Sequence, residues 1–354
     1  MSWEMTTIGK HCTVTSSKRF HLSERSNSGV PFYCAKEIIQ KNRGEEIADC
    51  DYISEELYLN IAEKFGVPQE NDLLVTTRGT IGIPYLYRRN DRFYFADGNL
   101  TWIKDFKETL LPHLLYYWFR THEGQKKIDA IAKGTAQKAV PIAGIKTLEI
   151  CLPPVDVQRQ IVDILNAYDD LIENNQKQIN LLEETAQRLY KEWFVDLRFP
   201  GHETTHIVDG IPEGWLNAVV TDLLEINYGK DHKALEDGSI PVYGSGGLMR
   251  KVNKILHSGE CVLIPRKGSL NNIILVNDDF WTIDTMFFGV PRQPNVAKYV
   301  YLFLLGVDMY AMNIGAAVPS MTVKILDGMK ILCPAPEILE QFENMVRPFF
   351  SMIE

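Results

Sequence analysis

Residues 202–206 read "HETTH". This is the H-E-x-x-H spacing with which two histidines hold one zinc ion while the glutamate between them serves as general base. The chemistry depends on a helix, because only there do positions four apart share a face. The flanks oppose one. Pro200 and Gly201 precede the motif, two β-branched threonines fill it, and Gly210, Pro212 and Gly214 follow, which is turn composition. The favoured reading is an exposed linker with two ordinary histidines and no metal. A zinc peptidase built on His202, Glu203 and His206, with a third ligand such as Glu225, is the remote alternative.

The 354 residues suffice for two domains with substantial cores. Hydrophobic residues at 45% and charged residues at 23% suit a globular chain. No apolar run approaches the ~20 residues of a membrane span, and the N-terminus lacks the layout of a signal peptide. A cytoplasmic protein without membrane contact is therefore expected. Six scattered cysteines with no C-x-x-C argue against both a disulfide framework and a cysteine zinc site. There is no phosphate-binding G-x-x-x-x-G-K-[ST] loop. An Asn/Asp-Pro-Pro-aromatic methyltransferase motif and a Glu-x-Lys nuclease element are also missing. These features point to a non-catalytic chain that needs no cofactor.

The elements that would position any site are written twice. "GVPFY" (29–33) has a partner in "SIPVY" (239–243), offset by 210. "NDLLVTTRGTIG" (71–82) matches "GECVLIPRKGSL" (259–270), an apolar strand-like run ending in Arg78-Gly79 or Lys267-Gly268 at an offset of 189. "KGTAQKAVPIAGIKTLEICLPPVDVQRQI" parallels "IGAAVPSMTVKILDGMKILCPAPEILEQF" at 181. A common order with variable spacing is the signature of a duplicated domain, and the falling offset implies insertions in the first copy. Short alternating runs predict strands at 73–77, 83–88, 262–265 and 273–276, and helices at 111–120 and 296–309. Each domain is accordingly read as α/β (α+β) with a mixed or antiparallel sheet.

Between the copies, 156–196 contains no Gly or Pro. Its apolar positions alternate by four and three: Ile161, Leu165, Tyr168, Ile172, then Asn175, then Ile179, Leu182, Ala186, Leu189 and Trp193. That heptad seam predicts one helix of roughly 60 Å in a coiled coil, with Asn175 fixing register. The second copy begins the same helix at Phe342, Val346, Phe349 and Ile353, with Pro348 as a kink. A non-catalytic coiled-coil scaffold for protein partners is the alternative this pattern leaves open.

A globular domain, an "LPPxxxQ" lead-in (152–158), a long helix ending in "YKEWFVD", a second globular domain and a second "PxP" lead-in together resemble the specificity subunit of type I restriction–modification enzymes. The segment containing "VLIPRKGSLNN" looks like a target recognition domain of that family. The resemblance implies a first target recognition domain at 1–155, a central helix at 156–196, a second domain at 197–336 and a distal helix at 337–354. That last helix is shorter than a full-length member would carry. It implies a non-catalytic adaptor for double-stranded DNA in which each domain reads half of a bipartite target. Antiparallel helices would set the spacing and dock two methyltransferase subunits, with the restriction/translocase subunit joining through the complex. The uncovered first half of the seam would be buried by another chain, self-association being one possibility.

The net charge of −9 conceals a segregation. Acidic residues load the long helix, while lysines and arginines gather in Gly/Ser-rich loops suited to phosphate. The resulting DNA-contact candidates are Thr76, Thr77, Arg78, Lys133, Thr135, Gln137 and Lys138 in the first domain. In the second they are Lys230, Tyr243, Ser245, Arg266, Lys267, Ser269 and Asn271. Arg78 and the Arg266–Lys267 pair rank first, because they occupy matched places in both copies.

Overall fold

The computed structural model describes residues 3–45, 47–134, 138–312 and 320–354, the side chain of Leu22 excepted. The chain divides into two compact units, 1–172 and 173–354. In the first, the run Leu73–Thr76 is buried at every position. An apolar strand covered on both faces belongs in the middle of a sheet. It lies there, in an antiparallel sheet ordered Thr13–Thr15, Leu100–Lys104, Leu73–Thr76, Pro84–Leu86. A second sheet pairs Val30–Tyr33 antiparallel with Asp51–Ile53 and parallel with Tyr94–Phe95. Glu4–Thr7 pairs with Glu149–Leu152.

The second unit repeats this arrangement strand for strand. Its fully buried Cys261–Pro265 sits within the order Leu224–Tyr228, Met286–Pro291, Cys261–Pro265, Ile274–Val276. Asp237–Gly244 pairs antiparallel with Gly247–Val252 and parallel with Trp281–Thr282. Leu216–Val219 pairs with Lys330–Cys333. The Glu4↔Leu152 and Leu216↔Cys333 registers stand at offsets of 212 and 181. The helices Ile142–Thr147 and Val323–Gly328 also stand at 181. Two α+β units with mixed and antiparallel sheets are thus the observed fold class, and the copies agree to the residue.

The insertions implied by the drifting offset are helices. Ala35–Asn42 and Glu55–Lys64 flank the strand Asp51–Ile53. The second unit replaces that stretch with a tight hairpin turning at Gly244–Gly247. Among the described residues His122–Ile131 has no helical counterpart in the second unit, whose residues 313–319 lie outside them.

The long helix runs Val155–Tyr190 as 36 residues, about 54 Å at helical rise. It closes with a π-helical turn, Lys191–Val195, that carries Trp193 and Phe194 into the second unit's core. There they meet the helix Pro336–Ile353, with ring centroids 5.7 Å (Trp193–Phe342) and 4.8 Å (Phe194–Phe342) apart. The seam is therefore packed only in part. Ala186, Trp193, Phe342 and Val346 are buried, and Leu189, Phe349 and Ile353 pack against them. Ile179 and Leu182 are half-buried. Tyr190 and Phe194, off the heptad, are buried as well, because packing here is that of a globular core and not of a two-stranded seam. Every residue from 170 to 178 is exposed, Ile172 and Asn175 included, so the seam asparagine is not packed against any of the described residues. The terminal helix continues through Pro348 to Ile353.

Candidate nucleic-acid interface

Each unit presents a loop at the end of its central strand, and the backbone fixes that loop in the same way twice. In the first unit the Thr77 amide donates to Asn99 O (2.8 Å), and Thr77 O accepts from the Val140 amide (2.8 Å). Arg78 then bridges Ala139. In the second unit the Arg266 amide donates to Thr285 O (2.8 Å), and Arg266 O accepts from the Met321 amide (2.9 Å). Lys267 then bridges Ser320. These contacts join the two sequence blocks whose offsets are 189 and 181. The following glycines, Gly79 and Gly268, have φ of 76° and 83°, a left-handed turn that a glycine adopts without strain. The cation before each glycine is thereby lifted off the end of a rigid strand, and the side chains of Arg78 and Lys267 are exposed.

The remaining candidates of the first unit divide. Thr76 and Thr77 are 0% and 3% exposed, which removes them from the surface. The Thr76 hydroxyl accepts from the Ile83 amide at 2.9 Å, and the Gly82 amide donates to Thr76 O at 2.7 Å, so this residue closes the 77–82 loop. Gln125, whose amide donates to Gly82 O at 2.8 Å, braces the same turn. Lys133 and Ala139 exchange two backbone hydrogen bonds of 2.8 and 2.9 Å, holding the base of the neighbouring loop. Lys138 pairs with Asp129 at 3.1 Å, an exposed contact that phosphate could displace. Thr135 and Gln137 lie outside the described residues.

In the second unit the hairpin Asp237–Val252 docks its tip beside the cation loop. The Asn272 amide donates to Ser245 O at 2.9 Å, and a Cβ at Gly268 would meet Ser245 Oγ at 2.6 Å. The Tyr310 hydroxyl accepts from the Leu270 amide (3.1 Å) and donates to Gly268 O (3.2 Å). Lys267, Ser269 and Asn271 are exposed around this brace. Arg266 is half-buried, its guanidinium 5.5 Å from the Tyr228 ring centroid and donating to Asp284 O at 3.3 Å. Lys230 and Tyr243 flank the Trp281–Thr282 strand. The Lys230 amide donates to Thr282 O (2.8 Å), and the Ile283 amide donates to Tyr243 O (3.1 Å). Burial raises the pKa of the Tyr243 hydroxyl, which stays protonated and can donate.

Four residues of this surface were missed in the sequence reading: Asn272, Tyr310, and the exposed Leu248 and Met249 just past the hairpin tip. The "YGSGGLM" stretch is a hairpin signal and marked the place. Apolar side chains there are suited to thymine methyl groups.

The opening motif takes no part in this surface. Residues 201–204 form turns, and the His202 ring nitrogen Nδ1 lies 2.9 Å from Phe199 O. The helical geometry that zinc chemistry requires is not there. Among the described residues no group of three or more His, Cys, Asp or Glu could hold a metal, and no helix is long and apolar enough to cross a membrane.

Comparison with known proteins shows the family and the fold. A type I restriction enzyme specificity subunit of Methanocaldococcus jannaschii is 24% identical over 287 residues, 70% of this chain and 64% of that relative. A putative type I specificity subunit of Haemophilus influenzae is 27% identical over 185 residues, 52% of this chain and 45% of the relative. The chain thus spans between under half and just under two thirds of the length of these relatives. The crystal structure of a type I restriction–modification S subunit from M. genitalium superposes with a TM-score of 0.62 at 16% identity, covering 100% of this chain and 90% of that one. The family model for the type I restriction modification DNA specificity domain matches residues 1–184, and the chain belongs to that family.

Proposed function

We propose that this chain is the sequence-specific DNA-binding subunit of a type I restriction–modification complex, itself without catalytic activity, acting in the cytoplasm. Each unit reads one half of a bipartite target in double-stranded DNA. In this reading the long helix sets the spacing between the two half-sites. Its exposed residues Ile164, Tyr168, Leu171 and Ile172 form a docking face for methyltransferase subunits, of which two copies are expected, and the restriction subunit joins through them. The observation that carries this reading is the repeated bridge, Arg78↔Ala139 and Lys267↔Ser320. Two copies of one brace each hold a cation-bearing loop at a strand end. Exposed cations there supply phosphate affinity and guide neighbouring donors to base edges.

The test is a genome-wide map of methylated adenines in cells carrying the chain together with its methyltransferase. A two-part motif interrupted by a fixed gap is the expected result. Methylation that is absent, or confined to a continuous motif, would contradict it. In purified form, duplex binding should weaken linearly in log K with log salt. Binding indifferent to salt would favour a protein scaffold instead.

A further inference from the structure

The matched copies differ at the residue before each exposed cation, where the second unit has Arg266 and the first has Thr77. Val75↔Thr101 and Ile264↔Phe287 pair alike, and so do Thr15↔Trp102 and Asn227↔Phe288. Phe287 therefore stands in the place of Thr101, and Tyr228 in that of Ser16. In the second unit these three residues make a stack. The Arg266 guanidinium lies 5.5 Å from the Tyr228 ring centroid and 5.9 Å from that of Phe287. The two rings meet nearly edge to face, 5.0 Å apart at 76°. Both cation–ring distances fall within the ~6 Å over which an aromatic face attracts a cation. In the first unit three hydroxyl residues replace the stack, and two of them, Thr77 and Thr101, are buried.

The stack fixes Arg266 without hiding it. Phe287 is buried beneath it, Tyr228 is 54% exposed beside it, and Arg266 itself is half-buried. Its Nη1 donates to Asp284 O at 3.3 Å, which engages one of its five N–H groups. A guanidinium held this way has lost rotamer freedom before any ligand arrives, so binding costs it less. Its planar fork matches two acceptors side by side. In the major groove guanine offers that pair, O6 and N7, whereas adenine sets a donor beside its acceptor. Phosphate also accepts a fork, but the exposed Lys267 next door is the freer cation for the backbone.

We propose that Arg266, positioned by Tyr228, reads a guanine in the half-site of the second unit, and that the first unit has no counterpart of this reader. The inference rests on the DNA-reading proposal and names the base at one of its positions.

The probe is a fluorescein-labelled duplex carrying the motif found by methylated-adenine mapping. Each guanine of the motif is replaced in turn by 7-deazaguanine, which lacks the N7 acceptor. Binding to the full chain in complex with its methyltransferase is followed by anisotropy. One replacement, in the half that Lys267→Ala alters, should weaken the parent roughly three- to tenfold, as one bond of a bidentate pair. Arg266→Ala should bind the unmodified duplex roughly five- to a hundredfold more weakly and be indifferent to that replacement. Tyr228→Phe, which keeps the ring, should retain the sensitivity, and Tyr228→Ala should reduce it. An Arg266→Ala complex as sensitive to 7-deazaguanine as the parent would overturn the proposal. So would a loss of affinity equal for every duplex, which would make Arg266 a phosphate contact, or a second-unit half with no guanine on either strand. A map with no two-part motif would instead overturn the DNA-reading proposal, and this inference with it.

Discussion

The two units share their strand orders, register and loop braces, yet they are finished differently. The first inserts two helices ahead of its central strand and leaves an apolar face partly open. The second turns a tight hairpin at the same topological place and fills the corresponding face with the end of the long helix. What is common to both is the cation-glycine loop tied to a second loop, the part on which the proposed DNA reading rests. What differs lies around that loop, where the proposal places the reading of unlike half-sites. The comparison therefore separates shared machinery from individual specificity within one molecule.

The largest expected break in the comparison is thermodynamic. Phe342→Ala, in the filled face, should cost about 3–5 kcal/mol, the usual loss for a buried phenylalanine. The aligned Ile161→Ala, in the open face, should cost under about 2 kcal/mol, because little burial is lost. Denaturant unfolding with hydrogen exchange to localise the effect would check both. Equal losses would mean that the two faces are equally packed.

A second difference lies inside the loop brace. Thr76 holds the Ile83 amide through its hydroxyl, while the aligned residue of the second unit is Pro265. Thr76→Val should remove that half-buried bond at a cost of about 0.5–1.5 kcal/mol, read as faster exchange in 77–83. A variant as stable as the parent would show that the loop does not depend on this bond.

The third contrast is in pH. At one helix position the first unit has His113 and the second has Lys298. Burial lowers the His113 pKa below its usual 6.5. The unfolded chain then binds a proton more readily than the folded one, so this group's contribution is intact above pH 6.5 and falls as pH drops below it. For Lys298 burial also lowers the pKa, but hydrogen bonds to Glu260 and Glu343 outweigh it and hold the ammonium above its usual 10.5. Its stabilisation is complete below pH 10.5 and is lost as pH rises through the elevated value. Acid should therefore weaken the first unit through His113, and alkali the second through Lys298. Comparing unfolding curves of His113→Gln and Lys298→Met with the parent across pH would reveal any exchange of these roles.

The smallest effect is expected outside the shared machinery. Removing both histidines of the turn segment, His202→Ala with His206→Ala, should change stability by no more than about 0.5 kcal/mol, as is usual for surface substitutions. The purified parent should hold no zinc. One zinc per chain that the double variant loses would reverse this assignment.

The duplication was legible in the sequence because strand runs and glycines constrain the chain locally. The offsets at Arg78/Lys267 and Ala139/Ser320 reappear as matched backbone bridges. Inserted segments were legible as a drift in offset, although their helical form was not, since short amphipathic runs give weak signals. Thr76 and Thr77 looked like surface candidates because they adjoin Arg78. Their burial is decided by Asn99, Ile83 and Val140, partners distant in sequence. Tyr190 and Phe194 escaped the heptad reading for a related reason. The π-helical turn and the globular core change which face of the helix is covered.

The central claim is that two braced loops act as independent readers. It is tested most directly by methylated-adenine maps from cells carrying the parent, Arg78→Ala or Lys267→Ala, each with the methyltransferase. A lost base contact is worth about 1–3 kcal/mol of discrimination. Arg78→Ala should relax or deplete one half of the motif and leave the other unchanged, and Lys267→Ala should do the reverse. If either substitution altered both halves alike, or neither altered any, the two-reader account would be contradicted.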